Sequence, residues 1–224
     1  MASRTPKEFI LHLREIYQLA TSDRKFVYLE CFNKETGNRL KEAYRQLACA
    51  YWASAEVHAA AQTRYEWKLD VNTKIKVARQ VWEEARHCKD VKSLLKESFN
   101  ENFDVKNYTP VQELTDCFFN FYNTIEDPGA YFAAHNAAGE RTALFMLKEV
   151  ANMGRLAGNE RFASFAEKII PEERLHVRLG EEIVEKYADT KENQERLERY
   201  FLDGLEAHWS YTEGVYRKIN SMSA

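Results

Sequence analysis

The chain has 224 residues, 45% of them hydrophobic, with only 4 Pro and 8 Gly and a formal net charge of −3 at pH 7. That is enough apolar material for a substantial core and too little turn material for a sheet protein, so the composition points to an all-α chain of long helices. No basic block stands out, which argues against nucleic acid as a partner. No apolar run reaches the ~18 residues of a membrane span, and the polar start reads as no signal peptide, so a cytoplasmic location without a membrane partner is expected. Cys31, Cys49, Cys88 and Cys117 form no C-x-x-C pair and read as reduced thiols.

Thr5-Pro6-Lys7-Glu8 combines a capping Thr, a Pro at the first helical position and a Glu three residues after the cap, so a helix is expected from there to about Ala20. A short helix is expected over Lys25 to Phe32. Gly37-Asn38 precedes a long helix from about Arg39 to Lys68. Asp70-Val71-Asn72 is a turn, with Asp70 or Asn72 capping a helix from about Thr73 to Phe99. Residues 100–108 are irregular. Thr109-Pro110-Val111-Gln112 repeats the capping logic and opens a helix to about Ile125, and Asp127-Pro128-Gly129 is the next turn. A helix from Ala130 to Met153, a break at Gly154 to Asn159, a helix from Glu160 to Tyr187 containing Pro171, and a last helix from Lys191 to Ile219 complete the chain. Residues 1–224 are read as one domain, with a core bundle over about 39–187 and flanking helices over about 5–32 and 191–219.

Two histidines have a glutamate three residues before them, in Glu84-Ala85-Arg86-His87 and Glu173-Arg174-Leu175-His176. Residues three apart share a helix face, so each pair can present a carboxylate and an imidazole to one ion. Glu56 is the one charged residue in 47–62, and Glu140 and Arg141 are the only two in 130–147. A carboxylate in so apolar a helix is expected to be buried with a partner. The midpoint of Glu56 and Glu84 is residue 70, in a predicted turn, and the midpoint of Glu140 and Glu173, 156.5, falls in a predicted break. Each glutamate therefore meets its E-x-x-H at one height across a hairpin, and the long connection 99–129 lets the two hairpins pack as a four-helix bundle. Four carboxylates and two neutral imidazoles balance two divalent ions, and oxygen-rich ligation with two imidazoles suits Fe or Mn.

This order, Glu56, then Glu84 and His87, then Glu140, then Glu173 and His176, resembles the ferritin-like di-iron carboxylate proteins. The resemblance implies a ferritin-like four-helix bundle with a long crossover and additional N- and C-terminal helices. It implies two Fe ions, or Mn or mixed Mn/Fe, bridged by Glu84 and Glu173 and capped by Glu56 and Glu140. Glu83 and Glu172, each preceding an E-x-x-H glutamate, stand where relatives carry an acid that orients a ligand histidine. The implied activity is that of an oxidoreductase using O2 to hydroxylate, desaturate, N-oxygenate or cleave a small organic substrate, with electrons from an external donor or the substrate. The alternative is metal handling as a ferroxidase, peroxidase or catalase. His58, two residues past Glu56, points to another face and reads as structural, as does His135. His12 and His208 lie in outer helices. Ala53 and Ala60, and Asn136, Ala137 and Ala143, mark either close packing or a substrate cavity. The flanking helices are expected to cover the bundle and to offer a homodimer interface.

Overall fold

The computed structural model describes residues 4–22, 37–156 and 158–222. Its α-helices, numbered in chain order, are α1 Pro6–Thr21, α2 Asn38–Arg64, α3 Val71–Phe99, α4 Gln112–Thr115, α5 Pro128–Phe132, α6 Arg141–Leu156, α7 Glu160–Tyr187 and α8 Lys191–Ser221. There is no strand among the described residues, and the chain is all-α as its composition predicts. None of the described helices is long and apolar enough to cross a membrane. The short helix expected over Lys25 to Phe32 lies outside the described residues.

Local signals fix most helix ends. The Glu8 N–H donates to Thr5 Oγ1 at 3.3 Å and the Thr5 N–H to Glu8 Oε2 at 2.8 Å, completing the capping box of α1. Asp70 caps α3 through the Thr73 N–H at 3.0 Å. Asn100 closes that helix in the left-handed region, at φ 53°. Gly158, at φ +76°, supplies the turn before Asn159, which caps α7. Thr109-Pro110 does not open a helix. α4 starts at Gln112 after Val111, whose side chain has no acceptor to cap it and whose N–H donates to Gln46 Oε1 at 3.2 Å. From α4 the chain widens into a π turn, Asp116–Phe121, and then tightens into a 3₁₀ turn, Tyr122–Thr124. Asp127-Pro128 is a helix start, with Asp127 accepting from the Ala130 N–H at 2.7 Å. Pro171 lies inside α7, where it gives no N–H to the carbonyl one turn back.

Two antiparallel pairs set up the interior. α2 and α3 form one hairpin, and α7 runs back along α3, with Glu83 opposite His176, His87 opposite Glu172 and Asp90 opposite Lys168. α5 and the π stretch that follows it, Ala133–Glu140, are buried on every side. Such a segment must be narrow, and Ala133, Ala134, Ala137, Ala138 and Gly139 make it so. Two close approaches depend on glycine. A Cβ on Gly180 of α7 would meet Asn136 Cβ at 2.5 Å and the Ala137 nitrogen at 2.7 Å, and one on Gly204 of α8 would collide with the Ala134 carbonyl. α8 thus packs directly on the π stretch, burying Leu197, Phe201, Leu205, Trp209 and Val215. α1 lies over α7 and α8, burying Phe9, Ile10, Leu13 and Tyr17, and is tied down by Arg14–Glu181 and His12–Glu198.

Candidate metal centre

α3 and α7 contribute Glu84, His87, Glu173 and His176, and the π stretch contributes Glu140. All five are buried. His176 Nδ1 lies 3.1 Å from Glu84 Oε1 and 3.0 Å from Glu173 Oε2. His87 Nδ1 lies 4.0 Å from Glu84 Oε2 and 3.4 Å from Glu173 Oε1. Each carboxylate therefore turns one oxygen towards each imidazole. Glu84, Glu140, Glu173 and His176 offer donor atoms all within 4.8 Å of one another, a set that can hold a metal ion.

The outward nitrogens are fixed by the two acids that precede the E-x-x-H glutamates, each acting across the helix pair. Glu83 Oε2 meets His176 Nε2 at 3.0 Å, and Glu172 Oε2 meets His87 Nε2 at 2.8 Å. Arg79 holds Glu83 at 2.8 Å, and Arg86 holds Glu172. A neutral ring whose Nε2–H donates outward has its lone pair on the inward Nδ1, the tautomer a metal ligand needs.

Charge and hydrogen bonding are both incomplete here. Burial first, then Glu173 and Glu140, push the Glu84 carboxyl well above its ordinary range. Glu140 is raised by burial and by Glu173, against the pull of His58. Burial draws His87 down to about 4 despite Glu172, whereas His176 is carried well above its usual value because the carboxylates around it outweigh its burial. Glu84 Oε1, Glu173 Oε1 and His87 Nδ1 are buried and make no hydrogen bond. Inward-facing atoms left without partners, among buried carboxylates that repel one another, fit a cation between them.

Glu56 is not part of this set, and the expectation that it is a ligand is corrected: its side chain is exposed. The matching of α2 to α3 runs through Tyr51 against His87, with ring centroids 5.0 Å apart, and His58 against Gln80 at 2.8 Å. That register places Ser54 opposite Glu84 and turns position 56 away, since two residues rotate a helix by roughly 200°. Trp52, Glu56, Ala59, Ala60 and Thr63 form an outer stripe in which Glu56 is the one charged residue, the rest being small, aromatic or hydroxyl side chains. A shortage of charge in the sequence is therefore no proof of burial.

The sequence reading set aside two residues that the structure brings in. His58 Nε2 lies 3.3 Å and His135 Nδ1 3.4 Å from Glu140 Oε1, and the three form a second possible metal-holding group. In an α-helix residues five apart diverge by roughly 140°. The π stretch, with its i→i+5 bonding, turns His135 and Glu140 to the same side. Nothing in the residue types at 133–140 announces that winding. His208, read as an outer-helix residue, lines an apolar cavity of ≈ 70 Å³ with Glu84, Glu140, Tyr51, Phe118 and Met146. Ala143 lines it too, whereas Ala53, Ala60, Asn136 and Ala137 do not.

No protein-family model matches the chain, and no curated protein matches it. Among solved structures, the chain is similar to a domain of unknown function with a heme oxygenase-like fold from Shewanella denitrificans. The identity is 13% over 96% of this chain and 93% of that one, with a TM-score of 0.69. At that identity the likeness shows the fold: all-α and heme oxygenase-like.

Proposed function

We propose that the protein is a di-metal oxidoreductase, most simply di-iron, that uses O2 to oxidise a small apolar substrate. One observation carries this reading. Glu84 and Glu173 each set one oxygen towards each of two inward imidazole nitrogens, while the outward nitrogens of both rings are tied to Glu83 and Glu172. This is the donor set for two ions with two shared carboxylates, His87 on one ion and His176 on the other, and Glu140 beside His176. Two ferrous ions held there would supply two of the four electrons that reduce O2, the organic substrate would supply the other two, and an external donor would return the irons to the ferrous state. The chain's own part is to orient the ligands before metal arrives, to exclude water, and to place the substrate. The cavity against Glu84 and Glu140 is lined by Leu47, Phe118, Met146, Leu147 and Phe162, and at ≈ 70 Å³ it has room for several water-sized groups. That favours a small or slender apolar substrate over a charged one. With Glu56 outside the centre, an ion held at His87 would have no carboxylate from α2. Tyr51 and Ser54 face that side instead, leaving open positions for exogenous ligands.

The test is iron per chain, by elemental mass spectrometry after anaerobic Fe(II) loading and desalting, for the wild type and Glu173→Ala. The variant is expected to hold about two fewer irons per chain, as loss of a shared ligand empties both positions. Equal metal content in the two proteins would end the di-metal reading and the oxidoreductase with it.

A further inference from the structure

Glu140 belongs to two groups of donors, and the second contains neither His87 nor His176. His58 comes from α2 and His135 from the π stretch. Both rings are buried, at 0% and 3% exposure. The tautomer of His58 follows from its neighbours. Gln80 Nε2, 2.8 Å from His58 Nε2, can only donate, so His58 Nε2 accepts and Nδ1 carries the hydrogen, towards Tyr131 Oη at 2.9 Å. The His58 Nε2 lone pair and Glu140 Oε1 then stand 3.3 Å apart, two acceptors facing one place. The Gln80 amide nitrogen is 2.8 Å from the first and 2.9 Å from the second, two N–H donors positioned where a cation would satisfy both.

His135 is the independent observation. Neither of its ring nitrogens makes a hydrogen bond, although the ring is buried, and Nδ1 points to Glu140 Oε1 at 3.4 Å. Tyr131 stacks on it, with centroids 5.5 Å apart and planes 8° from parallel, so one tyrosine fixes the orientation of both imidazoles. Donors bound to one ion at ~2.0–2.2 Å stand roughly 3.0–3.5 Å from one another, the spacing of both histidine–glutamate contacts.

We propose that His58 Nε2, His135 Nδ1 and Glu140 hold a further transition-metal ion, next to the Glu84–Glu173 pair and sharing Glu140 with it. Two imidazoles and one carboxylate select a divalent ion such as Fe(II) or Zn(II) over Ca(II) or Mg(II), and leave further positions open. Binding requires the Gln80 amide to withdraw. The site goes beyond the di-metal reading and does not depend on it, because both histidines lie outside the E-x-x-H helices.

Zinc is the probe. Crystals of the full chain loaded with Zn(II) would be measured on both sides of the zinc absorption edge, and zinc per chain counted for the wild type, His135→Asn and Glu173→Ala. The expected result is an anomalous peak within bonding distance of His58 and His135. One zinc fewer per chain is expected in His135→Asn, which keeps the zinc that Glu173→Ala loses. A wild-type map with no peak against these two rings overturns the proposal, and it does so even if His135→Asn fails to fold. Peaks between Glu84 and Glu173 report on the di-metal reading separately, so either can fail alone.

Discussion

Helices α3 and α7 approach the centre as near equivalents: each brings an E-x-x-H pair, each brings the acid before it, and each acid holds the other helix's histidine. α2 and the π stretch, on the opposite side, share no such pattern. α2 offers Ser54 and His58 where a carboxylate is expected, and the π stretch offers His135 and Glu140 five residues apart. The first pair is regular because both helices keep α winding through their E-x-x-H segments and run in antiparallel register, so a three-residue spacing in sequence is a shared face in space. The second pair is irregular because its geometry comes from a changed helical winding and from the rotation of α2, neither of which follows from residue spacing.

The largest expected effect bears on the irregular half. Gly180→Ala forces α7 away from Asn136 and Ala137, and the overpacking should cost about 1–3 kcal/mol in denaturant unfolding. If the π stretch is held in place by that contact, metal retention should fall as well; a variant equally stable and equally loaded would show that the contact is slack. On the regular half, Glu83→Ala and Glu172→Ala each release a histidine from its orienting acid and should weaken metal binding by about tenfold to a hundredfold in an anaerobic titration. Glu83 should matter more, since its side chain is 2% exposed against 23% for Glu172. Equal losses would mean that the two sides are energetically equivalent as well as similar in shape.

A smaller effect is expected where α6 begins. Burial raises the Glu181 carboxyl, but Arg14 and Arg141 outweigh it, and the group lies below its ordinary value of 4.5. A lowered carboxylate contributes stability above the unfolded value and loses it as pH falls through the folded one. The stability difference between wild type and Glu181→Gln should therefore be full at neutral pH and shrink as pH falls below 4.5, as followed by thermal unfolding against pH. A difference independent of pH would remove the ion pairs as its cause. The smallest effect belongs to Glu56→Gln, which should alter neither metal content nor stability beyond about ±0.5 kcal/mol. A loss of metal in that variant would place Glu56 in the centre after all.

The amino-acid sequence by itself determined where most helices begin and end, because caps, prolines and left-handed turns act over a few residues: Thr5, Asp70 and Gly158 stand where the chain needs them. It also determined that Glu84 and His87, and Glu173 and His176, share faces, and that two acids flank them. Tertiary structure alone decided which way α2 turns. Equal distances from a turn set the height of Glu56 and Glu84 but leave the angle free, and packing rotated α2 so that Ser54 and His58 point inward and Glu56 points to solvent. It decided too that residues 133–140 wind as a π-helix, bringing His135 beside Glu140. Spacing along a helix fixes the relative directions of its side chains, whereas the rotation of the helix about its own axis, and any change in its winding, are set by what packs around it.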